Sequence, residues 1–309
     1  MDITINKTKD KNPIRVYADK LAKKKNKNNV SNITINGFDT NIPVNLPTAI
    51  IGEKGSGKTT LIKSIIEMTN KRVFNNIFFI YSDLSDQSID GVIKIDVKEC
   101  EEFLNVYFSS KSIYNSYIDF FKSLNFDRLQ KLYNAGKLTE DDILGNVNNN
   151  IVKYNKDTFN KIDDPKTKID NIIEVGEKII NKFSKPFYIG SYRINGFKPD
   201  DRDAVIIDDI AIAGKYLFKH IKDNTIYEYL TLTRHMRLFI LFAGQQVEQI
   251  PKPLRREIMA WILSKNTNLD LLNGVINTDT LKRIYNKQQL IGKFEFVIYN
   301  SVDGVIDKI

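Results

Sequence analysis

The residues Gly52-Glu53-Lys54-Gly55-Ser56-Gly57-Lys58-Thr59 fit the pattern G-x-x-x-x-G-K-[ST], in which every fixed position can act on a phosphate chain. Glycines let consecutive backbone N–H groups turn toward phosphate oxygens, the Lys58 ammonium reaches the β- and γ-phosphates, and the Thr59 hydroxyl can ligate Mg²⁺. The chemistry implied is binding of a nucleoside triphosphate, with Gly52 through Thr60 as candidate phosphate-binding residues and Mg²⁺ as the companion ion. A second candidate group, Asp208-Asp209, closes the apolar run Ala204-Val205-Ile206-Ile207. Carboxylates at the carboxyl end of a parallel strand stand where such folds bind ligands, which makes Asp208 the candidate metal ligand and Asp209 the candidate to activate water. Gln245 follows a third apolar run, Leu238 to Ala243, flanked by Arg234-His235 before it and by Pro251 and Arg255 after it. A guanidinium fork suits phosphate and can be supplied from a neighbouring subunit, so Arg255 and Arg234 join the candidate catalytic residues.

Several elements must position these groups. Pro47 to Ile51 is short, apolar and β-prone, and Thr60 to Met68 spaces its large apolar residues as a helix does, so the glycine loop would aim a helix N-terminus at the phosphates. Asn76 to Tyr81 reads as a strand buried on both faces, Val92 to Ile95 as another, and Lys293 to Tyr299 as an alternating strand ahead of a turn at Val302-Asp303-Gly304-Val305. Strands alternating with helices predict an α/β fold with a mainly parallel central sheet. Residues 101–190 break that alternation with a mixed polar and aromatic composition and are expected to form a helical insertion in a domain spanning 31–309.

Composition narrows the class. A chain of 309 residues with 42 % hydrophobic content can bury a full core. No apolar run approaches the roughly 20 residues that span a bilayer, and the first residues lack the apolar centre of a secretory signal, so a protein that is not secreted is expected. A single cysteine, Cys100, rules out an internal disulfide and a cysteine-based zinc site. The net charge of +8 is concentrated in residues 1–30, where nine Lys and Arg face three Asp. Such a basic arm suits the phosphates of nucleic acid, and equally a solvated tail that aids solubility.

The ordered set of motifs resembles the viral genome-packaging ATPases of the poxvirus and large DNA virus type, in the FtsK–HerA superfamily of P-loop ATPases. The matching residues are Gly52 to Thr59, then Ile206-Ile207-Asp208-Asp209, then Arg234-His235, then Gln245, then Pro251 and Arg255. The resemblance covers residues 47–85 and 203–260 and leaves 101–185 without a counterpart. It implies a P-loop core with an additional strand between the Walker A and Walker B strands, ATP as nucleotide, and Gln245 as sensor of the γ-phosphate. It also implies a homo-oligomeric ring, pentameric or hexameric, with Arg255 or Arg234 as the trans-acting finger. Double-stranded DNA and capsid or portal-like vertex proteins would be its partners, and the virion or a cytoplasmic viral factory its place of action.

Three rival readings use the same loop. A GTPase would explain Asn160-Lys161-Ile162-Asp163 and Asp142-Ile143-Leu144-Gly145, but neither follows a buried apolar strand. A P-loop kinase acting on a small molecule would recruit arginines to a lid, whereas paired Asp208 and Asp209 suit water activation. A nucleotide-dependent scaffold would bind without turnover.

Overall fold

The computed structural model describes residues 32–34, 41–44, 46–69, 73–82, 89–124, 128, 131–132, 135–137, 139, 141–145, 147, 149–156, 161, 165–199, 201–217 and 237–309. The basic arm, Arg234 and His235 lie outside them, as does all of the Asn160 to Asp163 run except Lys161. The chain divides into two compact units.

The sheet unit is drawn from Val30–Phe108, Tyr188–Asn195 and Asp200–Ile309. Its apolar runs become strands because each is short, rich in Ile and Phe, and covered on both faces. After a two-stranded ribbon of β1 (Asn32–Thr34) and β2 (Asn41–Pro43) come β3 (Thr48–Ile51) and helix α1 (Lys58–Thr69). Strands β4 (Phe74–Tyr81) and β5 (Ile93–Asp96) follow, then helix α2 (Cys100–Ser123). A ribbon of β6 (Phe187–Ile189) and β7 (Tyr192–Ile194) precedes β8 (Arg202–Ile207), and β9 (Leu238–Gly244), β10 (Ala260–Ser264), β11 (Phe296–Asn300) and β12 (Ile306–Lys308) complete the set. Among the described residues eight strands form one sheet in the order β12-β11-β10-β3-β9-β8-β4-β5. The run from β10 to β5 is parallel, and β11 and β12 add an antiparallel edge. The fold is therefore α/β with a mainly parallel sheet, and β9 lies between β3 and β8, where the motif order places an added strand.

Alternation assigns the two faces of the sheet. Ile77 and Phe79 of β4, Ala204 and Ile206 of β8, and Phe239 and Leu241 of β9 join one core cluster with Leu61, Ile62, Ile65 and Ile66 of α1. Phe78 points the other way, with its ring centroid 5.1 Å from Phe103 and 4.5 Å from Tyr107 of α2, both edge-on. At the start of β8, Asp203 is 1 % exposed and accepts hydrogen bonds from Asn76 N (2.9 Å), Asn76 Nδ2 (2.8 Å) and Tyr107 Oη (2.5 Å). Burial, aided by the Asp203 charge, pushes the Tyr107 phenol well above its ordinary pKa and keeps it a donor. Tyr107→Phe removes one of these donors to a buried carboxylate and should cost about 1–3 kcal/mol in a denaturant titration. Nucleotide affinity should not change, because Asp203 and Asp208 stand about 16 Å apart along the strand.

The second unit contains Ser109–Phe187 and Gly196–Pro199 among its described stretches, and the division falls inside α2, between Phe108 and Ser109. It holds the rest of α2, short helices α3 (Asp141–Leu144) and α4 (Asn149–Tyr154), and α5 (Pro165–Phe183). Gly176 lets α5 approach α2, since a Cβ there would lie 2.5 Å from Tyr117 Cδ1. Tyr114 Oη donates to Phe197 O at 3.2 Å, and Asn155 Nδ2 donates to Tyr117 Oη at 2.5 Å. Phe183, Phe187 and Phe197 pack mutually, with centroids 5.1 to 5.9 Å apart and Phe187 edge-on to the other two.

Candidate functional site

The glycine loop leaves the carboxyl end of β3 and enters α1 at Lys58, so the helix N-terminus opens onto the loop as its apolar flanks predict. Gly52 is required by close approach: a Cβ there would meet Ser56 Oγ at 2.6 Å and the Ser264 side chain at 2.9 Å. Gly57 takes φ of 95°, which only glycine adopts freely. The Gly52 N–H donates to Gly244 O at 3.1 Å, tying the loop to the end of β9. Lys58 Nζ donates to Gly52 O (2.5 Å) and Glu53 O (2.9 Å), so the ammonium lies curled within the loop that would hold phosphates. Burial lowers the Lys58 pKa, and the nearby charges of Asp208, Asp209 and Glu53 oppose that shift. Ser56 Oγ is buried with no hydrogen-bond partner among the described residues, Thr59 is half-buried, and Lys54, Gly55 and Thr60 are exposed.

The two carboxylates follow β8 and differ in setting. Asp208 is held by its N–H to Ile80 O of β4 (3.1 Å), and its Oδ1 accepts from Asp209 N at 3.1 Å. Asp209 has φ of 51°, a left-handed conformation that Asp tolerates better than most residues but that still stores strain. Its carbonyl accepts from Ile212 N and Ala213 N and so starts helix α6 (Ile210–Leu217). Asp209 Oδ1 is buried and has no hydrogen-bond partner among the described residues. An orphaned carboxylate oxygen within electrostatic reach of a half-buried ammonium suits a site built for groups supplied by a ligand. One hydroxyl, Thr59, and one carboxylate, Asp208, also fit a divalent ion that takes its other ligands from phosphates and water. Among the described residues no three His, Cys, Asp or Glu gather to hold a metal ion by themselves.

The remaining candidates divide. Gln245 directly follows Gly244 and is exposed, and its backbone N–H donates to Gln249 Oε1 at 2.8 Å. Arg255 ends the short helix α7 (Lys252–Arg255), where Nε donates to Ile250 O (2.8 Å) and Nη2 to Glu248 O (3.4 Å). Its described hydrogen bonds thus go to its own segment rather than to the glycine loop.

Sequence reasoning missed the segment after β10. Asn266 Nδ2 donates to Glu53 Oε1, Thr267 Oγ1 donates to Ile51 O (3.1 Å), and Gln288 Nε2 of helix α8 (Thr278–Gln288) donates to Ser264 O (2.8 Å). Trp261-Ile262-Leu263 followed by Ser264-Lys265-Asn266-Thr267 is an apolar run ending in polar residues. That signal had already singled out Asp208 and Gln245.

No protein-family model and no curated protein sequence matches the chain. Among solved structures it is similar to B204, the DNA-packaging ATPase from Sulfolobus turreted icosahedral virus, at 14 % identity over 85 % of this chain and 96 % of that one, with a TM-score of 0.42. It is similar also to the cytoplasmic domain of the Type VII secretion ATPase EccC from Thermomonospora curvata, at 12 % identity over 97 % of this chain and 30 % of that one, with a TM-score of 0.46. A third similar structure is the pCW3 conjugation coupling protein TcpA, at 13 % identity over 87 % of this chain and 62 % of that one, with a TM-score of 0.44. At such identities and scores the likeness carries no argument, and the fold stands on the strand order and loop geometry of the chain itself.

Proposed function

We propose that this chain is an ATP-hydrolysing motor that translocates double-stranded DNA and packages a viral genome into a preformed capsid. The hydrolytic part rests on one arrangement: the ammonium of the glycine loop lies within electrostatic reach of Asp208 and Asp209 across an interposed strand, and Asp209 Oδ1 is buried without a hydrogen-bond partner among the described residues. Phosphoryl transfer asks the protein for position and charge more than for covalent chemistry. Backbone N–H groups of the glycine loop and the first turn of α1 hold the phosphates, and Lys58 exchanges the carbonyls of Gly52 and Glu53 for β- and γ-phosphate oxygens. Thr59 and Asp208 are the residues that would hold Mg²⁺, which would supply positive charge to those oxygens. Asp209 orients the attacking water and takes its proton, and Gln245 senses the γ-phosphate at the end of β9.

The motor reading draws on the motif order and on the charge of the arm at residues 1–30. In it the subunits form a homo-oligomeric ring of five or six, with Arg255 completing the neighbour's site and Arg234 in reserve. As a finger, Arg255 would reach outward with Nη1 or release Glu248 O. Capsid or vertex proteins are the further partners, in the virion or a cytoplasmic factory. Among the described residues no helix is long and apolar enough to cross a membrane.

A double-stranded DNA titration of the ATPase rate tests this reading. Hydrolysis should rise with DNA, and the stimulation should fall steeply as salt increases, because each phosphate contact releases counterions. A rate indifferent to DNA would sink the translocase and leave the kinase or the scaffold.

A further inference from the structure

Phe294 is a large apolar side chain left 66 % exposed, and it stands beside the glycine loop. A Cβ added to Gly57 would lie 3.8 Å from Phe294 Cδ1, so the ring stands off the loop by about the room of a methyl group, one residue ahead of Lys58. The turn that carries it is fixed from both sides: Gly292 N donates to Glu295 Oε2 (2.6 Å), and Phe296 N donates to Ile309 O (2.7 Å). Lys293 Nζ sits 5.4 Å from the Phe294 ring centroid.

The sheet order says on which side of the loop this ring lies. From β3 the carboxylates are reached through β9 and β8, whereas Phe294 precedes β11, reached through β10 on the opposite side. A triphosphate with its γ end toward Asp208 and Asp209 must send its nucleoside end the other way. We infer that Phe294 is the platform on which the base of the bound nucleotide stacks, with the loop supplying phosphate recognition and the ring supplying base recognition. This rests on the nucleotide reading above. An exposed aromatic face held in place by its backbone suits a planar base, and it selects by π-surface rather than by hydrogen bonding. Lys293 places a cation over the ring, and the exposure of the side chain leaves ring surface on which a base can lie.

Binding of ATP and of inorganic tripolyphosphate to the full chain, measured side by side by calorimetry in Mg²⁺ buffer, separates base recognition from phosphate recognition. Phe294→Ala should weaken ATP about ten-fold and leave tripolyphosphate unchanged. Phe294→Trp should keep ATP affinity, and its emission should be quenched by ATP but not by tripolyphosphate. Lys58→Ala, run in the same assay, should weaken both ligands. If Lys58→Ala weakens both while Phe294→Ala changes neither, the stacking role is overturned and the phosphate loop stands. Equal losses of both ligands in Phe294→Ala would make the ring a prop for the loop and overturn stacking too. So would a loss of self-association in sedimentation with ATP affinity intact, which would assign the ring to a subunit contact. If Lys58→Ala changes neither ligand, the nucleotide reading itself falls.

Discussion

Lys58→Ala is expected to lower ATP turnover by about 10³ or more, since it removes a positive charge aimed at the phosphoryl group being transferred. Affinity for ATP should fall by about 10- to 100-fold, the size of a lost charge-assisted hydrogen bond. In the free chain Lys58 also ties the loop together through Gly52 O and Glu53 O, so a thermal melt should accompany the assay. A modest loss of stability with a near-complete loss of turnover is the expected combination. Near-normal turnover in a folded Lys58→Ala protein would remove the nucleotide loop from the account.

The second large effect separates two neighbouring carboxylates. Asp209→Asn should leave ATP binding close to wild type and lower hydrolysis by about 10² to 10⁴, the range for removing a general base. Asparagine is the right replacement because it also tolerates the left-handed backbone that Asp209 adopts at φ of 51°. Asp208→Asn should instead weaken Mg²⁺-dependent ATP binding and turnover together, because its carboxylate is the metal candidate. Equal binding defects and equal residual rates in the two variants would show that the roles are not divided in this way.

What the sequence made legible follows from how parallel sheets are built. Strands β3, β8 and β9 are covered on both faces, so each appears as an unbroken apolar run, and the polar residue that ends the run marks the ligand end of the sheet. Asp208 and Gln245 were found by that rule and Lys58 by the glycine-loop pattern, and the interposition of β9 agrees with the order of motifs. Strand β10 follows the rule as well, but its run from Ile258 to Leu263 comes directly after Arg255, Arg256 and Glu257 and ends in no recognised motif, so Asn266 and Thr267 were passed over. Other features have no local signature. The carbonyls that engage Arg255, the backbone strain at Asp209 and the reach of Phe294 to Gly57 are products of tertiary packing. The unit boundary inside α2 was equally silent, because a helix of 24 residues runs through it with unbroken helical spacing.

The interposed strand also sets a schedule for assembly. Strand β9 pairs Thr48 with Leu241 on one side and Ile207 with Phe242 on the other, so the phosphate loop and the carboxylates become neighbours only once the latest-made of the three strands is in place. A ribosome reaches β9 well after both β3 and β8 have emerged. Until then the exposed edges of β3 and β8 must be kept from pairing directly with each other, which would close the sheet one strand short. Chain growth is thus ordered so that a partly made chain lacking β9 cannot bring the glycine loop and the carboxylates together. Nucleotide affinity becomes a natural report that β9 has inserted between β3 and β8.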